Sequence, residues 1–147
     1  SMHMEFQGSG LLDTIYYGFS TDELFLRLDY LGRHKPHRKK WEFRLSFLHP
    51  GHARVEGIVE GASSAARLYT KAPDKDEWEE AAAARIAADD CVELAVPLSA
   101  LGAVSNGEIR MFLSIDALEE GIERWPVKGM FVLSVPSENF DREDWYV

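Results

Sequence analysis

One cysteine, Cys91, stands in 147 residues, which leaves no internal disulfide, so a core and its hydrogen bonds must hold the fold. Its place at the start of an alternating run marks it as a small buried residue rather than a nucleophile. No apolar run approaches the about 18 residues of a membrane span, and no basic segment leading into an apolar one opens the chain. The expectation is therefore no membrane contact and a cytoplasmic location. Positive charge is scarce too: 16 Lys and Arg stand against 25 Asp and Glu, a formal net charge of -9. Affinity for nucleic acid rests on Lys and Arg neutralising phosphates, so nucleic acid is excluded as an expected partner. A neutral sugar, held by stacking and hydrogen bonds, meets no such objection.

What is present is ordinary for a folded domain, with 46% hydrophobic and 28% charged residues. A chain of this length suits one domain burying roughly 70% of its unfolded surface. Residues 1–10, polar and glycine-containing, read as a linker or tag remnant, and residues 11–147 as a single domain.

The chain is organised around residues 91–102, where Val92, Leu94, Val96 and Leu98 fall on one side of a two-residue period and Glu93 and Ala95 on the other. Pro97 cannot donate to a sheet ladder, Ser99 is a candidate cap for one helical turn, and Gly102 ends that turn; the pattern reads as a strand leaving a sheet edge. Similar alternation marks 24–31 through Leu24, Leu26, Leu28 and Tyr30, preceded by the β-prone Ile15-Tyr16-Tyr17-Gly18-Phe19. It recurs in Trp41, Phe43, Leu45 and Phe47, in Val55, Gly57 and Val59, in Ile109, Met111, Leu113 and Ile115, and in Phe131, Leu133 and Val135. Residues 65–70 read as a further strand, and Asn106-Gly107 as a turn. Over 76–88 propensity alone favours a helix, but its apolar stripe would be thin, so a loop followed by a strand near 84–87 is the preferred alternative. Seven to nine short strands with short helical turns argue for an all-β, antiparallel two-sheet β-sandwich of immunoglobulin-like or jelly-roll-like architecture.

Three stretches carry a family resemblance. Glu93 to Gly102 resembles the E-x-A-I-P-x-x-x-L-G segment of sugar-binding sandwiches that include family 9 carbohydrate-binding modules and DOMON-like domains. Met2-His3, then Ile15-Tyr16-Tyr17-Gly18 and Leu24-Phe25-Leu26-Arg27-Leu28-Asp29, resemble the start of the C-terminal domain of α-amylase-like family 57 glycoside hydrolases. Glu123-Arg124-Trp125-Pro126, Val135-Pro136 and the closing Trp145-Tyr146-Val147 resemble its end. Together these stretches are similar to the glucodextranase C-terminal-like domain. The resemblance implies an accessory β-sandwich without catalytic residues or cofactors, its hydrolase carboxylates lying in a separate domain. Two roles follow as alternatives: binding α-glucan or another oligosaccharide, or packing on the parent catalytic domain without binding sugar.

Candidate site residues are few. Pyranoses pack their C–H faces on aromatic rings, which makes Trp78, Trp125 and Trp41 the candidate carbohydrate-binding residues, with Trp78 in the most polar setting and Trp41 on the core face of its strand. The adjacent pairs Glu79-Glu80, Asp89-Asp90, Glu119-Glu120 and Glu143-Asp144 do not give two carboxyl groups facing each other across a glycosidic bond, so no catalytic residue is expected. His34 with His37 and His49 with His52 have zinc-like spacing, yet an intervening strand at about 3.3 Å per residue holds the pairs about 26 Å apart, against a single site. Asp74-x-Asp76 lacks the further oxygen ligand and the glycine bend of a calcium loop, and no metal is expected. Arg33, Lys35, Arg38, Lys39 and Lys40 form a basic loop that reads as a solvated hairpin tip.

Overall fold

The computed structural model describes residues 10–32, 40–81, 84–118 and 121–137 in full and residues 2–5 in backbone. Among them twelve strands form two antiparallel sheets that do not close on each other. The smaller sheet orders β1 (Met2–Glu5), β2 (Leu12–Phe19), β3 (Glu23–Tyr30), β9 (Cys91–Pro97) and β8 (Arg85–Ala88) as β1-β2-β3-β9-β8. The larger sheet contains β4 (Lys40–His49), β5 (His52–Glu60), β6 (Ser63–Lys71), β7 (Glu79–Glu80), β10 (Glu108–Asp116), β11 (Ile122–Trp125) and β12 (Phe131–Ser134). Its order is β11-β10-β4-β5-β6-β7, with β12 pairing the other half of the β10 edge. The expected sandwich is the observed one, with more strands than expected. No described helix is long and apolar enough to cross a membrane.

Alternation explains why these segments extend. Leu24, Leu26 and Leu28 of β3 and Val92, Leu94 and Val96 of β9 turn inward from the smaller sheet to meet Leu45, Phe47, Val55, Leu68, Ile109, Met111 and Leu113 from the larger one. Each such side chain contributes about 1.5–3 kcal/mol on burial, and a register slip by one residue would turn the whole set outward. Gly57 belongs to this interior for a steric reason: a Cβ there would overlap the ring of Phe43, its partner across β4 and β5.

Four expectations change. Met2–Glu5, inside the segment read as a linker, pairs with β2 from Met2 opposite Tyr17 to Glu5 opposite Thr14. The strand β9 does not leave an edge, because β3 flanks it on one side and β8 on the other; Pro97 is tolerated because it lies beyond the end of β8. Ser99 is not the cap of α1 (Leu98–Leu101): Pro97 holds the N-cap position without a side-chain bond, and the Leu98 N–H donates to the Asp22 carbonyl at 2.9 Å. Gly102 ends the helix at a φ of 69°, as expected of a left-handed C-cap. Finally, Glu123-Arg124-Trp125-Pro126, which the resemblance implies is a turn, lies largely within strand β11 (Ile122–Trp125). Residues 85–88 settle the ambiguity in the alanine-rich stretch as strand β8.

Candidate functional site

The three described tryptophans separate into core and surface. Trp41 is only 3% exposed and stands edge-on to Tyr30, ring centroids 5.2 Å apart. Trp125 is 1% exposed and donates its indole N–H to Glu123 Oε2 at 2.8 Å. Neither ring has a face to offer a sugar, and the expectation that Trp41 and Trp125 bind carbohydrate is corrected: alternation on β4 turns Trp41 inward, and Trp125 is buried at the end of β11, where its indole N–H is held by Glu123. Trp78 is partly exposed, in the link between β6 and β7, and the Arg54 guanidinium lies 4.5 Å from its ring. The same guanidinium lies 5.3 Å from the ring of Tyr69 on β6, so one arginine fixes two aromatic rings at one corner of the larger sheet.

Register then lays out the outer face of that sheet as cross-strand rows. One row runs Phe112, Ser46, Arg54, Tyr69 and Glu80. The next runs Arg124, Ser114, Arg44, Glu56 and Arg67, and a third Ile122, Asp116, Glu42, Ile58 and Ala65. A groove of about 470 Å³ crosses the second and third rows and reaches Tyr69 at one corner and Ile122 at the other. Five strands at ~4.8 Å spacing give it a span of about 19 Å, suited to an extended ligand. Its floor is polar at the centre, where Arg44 Nη2 donates to Glu56 Oε1 at 2.7 Å, and apolar at Ile58 and Ala65 on the β6 side and again at Ile122 on the β11 side. Arg124 stacks on Phe112 at 4.2 Å and donates to the Pro126 carbonyl at 2.6 Å, closing the far side of the face.

Two other recesses fit a ligand less well. The one of about 720 Å³ at the end of the sandwich is lined by Ser20, Asp22, Ser99, Val104, Ser105 and Ser137, among others, and by no ring. The slot of about 230 Å³ beside Gly18 on the smaller sheet has Tyr16 and Phe25, but its arginine, Arg27, is held by both carboxylate oxygens of Asp29 at 3.0 and 3.3 Å.

The acidic pairs do not converge. Glu79 and Glu80 lie exposed on β7, and Asp89 and Asp90 lie exposed in the turn between β8 and β9, while Glu119-Glu120 and Glu143-Asp144 fall outside the described residues. Asp74 and Asp76 are exposed, and among the described residues no group of three His, Cys, Asp or Glu gathers as a metal set. His49 and His52 flank the β4–β5 turn; His34, His37, Arg33, Lys35, Arg38, Lys39 and Trp145 fall outside the described residues, and Lys40 pairs with Glu42 at 3.2 Å. Burial pushes the half-buried Cys91 thiol up, with Glu93 and Asp29 adding to it, which works against a thiolate nucleophile.

Reading the sequence singled out Trp78 and missed Tyr69, Arg54, Arg44 and Glu56. Strand alternation already placed Arg54 and Glu56 outward, but the rows come from register between strands, which no single stretch encodes. Comparison of the chain with family models, with curated proteins and with solved structures finds no match.

Proposed function

We propose that this chain is a non-catalytic accessory β-sandwich of an α-amylase-like family 57 glycoside hydrolase and that it holds a neutral α-glucan on the outer face of its larger sheet. The order of the sequence motifs supports the parentage. The observation that carries the binding half is the groove itself: an elongated, open channel with Tyr69 at one corner, Trp78 just outside it on the other side of Arg54, and hydrogen-bonding groups along its floor. Rings pack against the C–H face of a pyranose while Arg and carboxylate groups take its hydroxyls, which is the composition a sugar site needs. Isothermal titration with maltooligosaccharides and glycogen tests it, repeated with Trp78→Ala. Heat that is lost or weakened in the variant supports the assignment; no heat with any glucan removes the binding half.

A second reading is a module that packs on its parent catalytic domain. The exposed apolar side chains Leu48, Val132 and Met130 toward the β12 end of the larger sheet favour it. Co-purification of this chain with the separately expressed catalytic domain, abolished by Val132→Glu, supports that reading, and migration of the two as independent species sinks it.

A further inference from the structure

We infer that the Arg44–Glu56 pair is the specificity element of the larger-sheet groove, reading two adjacent hydroxyls of a neutral sugar and discriminating against uronate or sulfated chains. This rests on the sugar-binding reading proposed above.

The pair sits in the middle of the groove floor, in direct register between β4 and β5. Arg44 is 51% and Glu56 35% exposed at the side chain, so both present polar atoms to whatever enters. A guanidinium carries five N–H donors and the contact with Glu56 engages one of them, while a carboxylate accepts several bonds across its two oxygens. Glu56 Oε1 is also 3.7 Å from Arg54 Nε, so the same carboxylate is tied to the arginine that fixes Trp78 and Tyr69. Donor and acceptor thus stand side by side beside a ring corner. A hydroxyl is both donor and acceptor: of two neighbouring hydroxyls, one donates to Glu56 and the other accepts from Arg44, and both bonds are charge-assisted.

Charge decides the class of sugar. The pair is neutral as a unit, and the next row brings the carboxylates of Asp116 and of Glu42, the latter offset by Lys40 at 3.2 Å, to the same groove. Arg67 at the β6 end lies 4.0 Å from Glu80, which offsets it. An anionic sugar therefore finds no surplus of positive charge in the floor to offset the desolvation of its own charge, whereas a neutral one needs none.

The exposure of the pair makes the test clean. Exposed ion pairs add little to stability, so Glu56→Gln and Arg44→Met leave the fold in place, as circular dichroism and melting will verify. Titration of maltoheptaose and of an oligogalacturonate against the wild type, both variants and the control Arg110→Met is the experiment; Arg110 lies outside the groove. The expected result is binding of maltoheptaose only, weakened about tenfold or more by Glu56→Gln and by Arg44→Met and unchanged by Arg110→Met. Maltoheptaose binding that survives both substitutions, or oligogalacturonate binding of equal strength, overturns this inference and leaves the sugar-binding reading standing. No binding of maltoheptaose or of other neutral glucans overturns that reading and the inference with it.

Discussion

The carboxylate of Glu123 ties the two sheets together around Trp125. Its Oε2 accepts the Trp125 indole N–H at 2.8 Å and the Leu12 amide at 3.0 Å, while Oε1 accepts the Leu11 amide at 2.9 Å. Leu11 and Leu12 lead into β2 of the smaller sheet and Glu123 sits on β11 of the larger one, so a single side chain satisfies three donors across the sandwich edge. Gly10 makes the approach possible, since a Cβ there would overlap the carboxylate. Glu123→Ala leaves these donors without an acceptor and is expected to destabilise the fold by about 3 kcal/mol. Glu123→Gln, whose amide nitrogen must face an N–H, should lose roughly 1–2 kcal/mol. Urea denaturation checks both; an unchanged midpoint for Glu123→Ala would mean the clamp contributes nothing.

Gly57 and Phe43 form a second dependent pair. With the ring occupying the space where a side chain would be, Gly57→Ala is expected to destabilise by about 1–3 kcal/mol through overpacking. Shrinking the ring in Phe43→Leu opens room, so the double variant should be more stable than the sum of the single losses predicts. Additive losses in that double-mutant cycle would show that the two residues do not compete for the same volume.

The phenol of Tyr30 is pushed up to about 12 from its ordinary 10.0, first by burial and then by the charges of Cys91 and Asp89. The folded state holds this proton more tightly than the unfolded chain does, so the stability it contributes is complete below pH 10 and is lost as pH rises from 10 toward 12. The hydroxyl is buried without a hydrogen-bond partner among the described residues, so Tyr30→Phe breaks no bond, keeps the ring packed on Trp41, and should match or exceed the wild type at pH 7. Melting temperatures from pH 7 to 11 should fall less steeply in the variant. Some slope will remain, because burial raises the Tyr17 phenol as well. Parallel curves for the two proteins would remove Tyr30 as a source of alkaline sensitivity.

How much of this was legible follows from the range of each signal. The sandwich was readable because β3, β4 and β10 alternate cleanly and β9 does apart from Ala95, expected outward beside Glu93 but only 5% exposed, and alternation is a local consequence of burying one face. The same signal placed Trp41 in the core. It failed for β11, whose Ile122 is 79% exposed while Trp125 is buried, so four residues show no clear apolar face and a glutamate supplies the anchor instead. It failed for β1, a run of methionine, histidine and glutamate whose order comes from pairing with β2. The candidate site was half legible: the polar setting of Trp78 marked it, whereas Tyr69, Arg54, Arg44 and Glu56 meet only through the register of β4, β5 and β6.

The separation of the tryptophans into core and surface predicts distinct responses to substitution and to ligand. Trp41→Ala and Trp125→Ala each empty a large buried volume and should destabilise by about 3–5 kcal/mol, the second also stranding one bond of Glu123. Trp78→Ala removes a partly exposed ring whose packing partner is the Arg54 guanidinium, and its loss should be under about 1 kcal/mol, in the range of exposed cation–π contacts. Fluorescence therefore divides the same way: Trp41 and Trp125 emit from a dry interior and resist acrylamide, while Trp78 is quenched. If sugar occupies the larger-sheet groove, maltoheptaose will shield Trp78 from acrylamide in the wild type and shift no emission in Trp78→Ala. A sugar-dependent change that persists in Trp78→Ala would place the ligand away from this corner of the sheet.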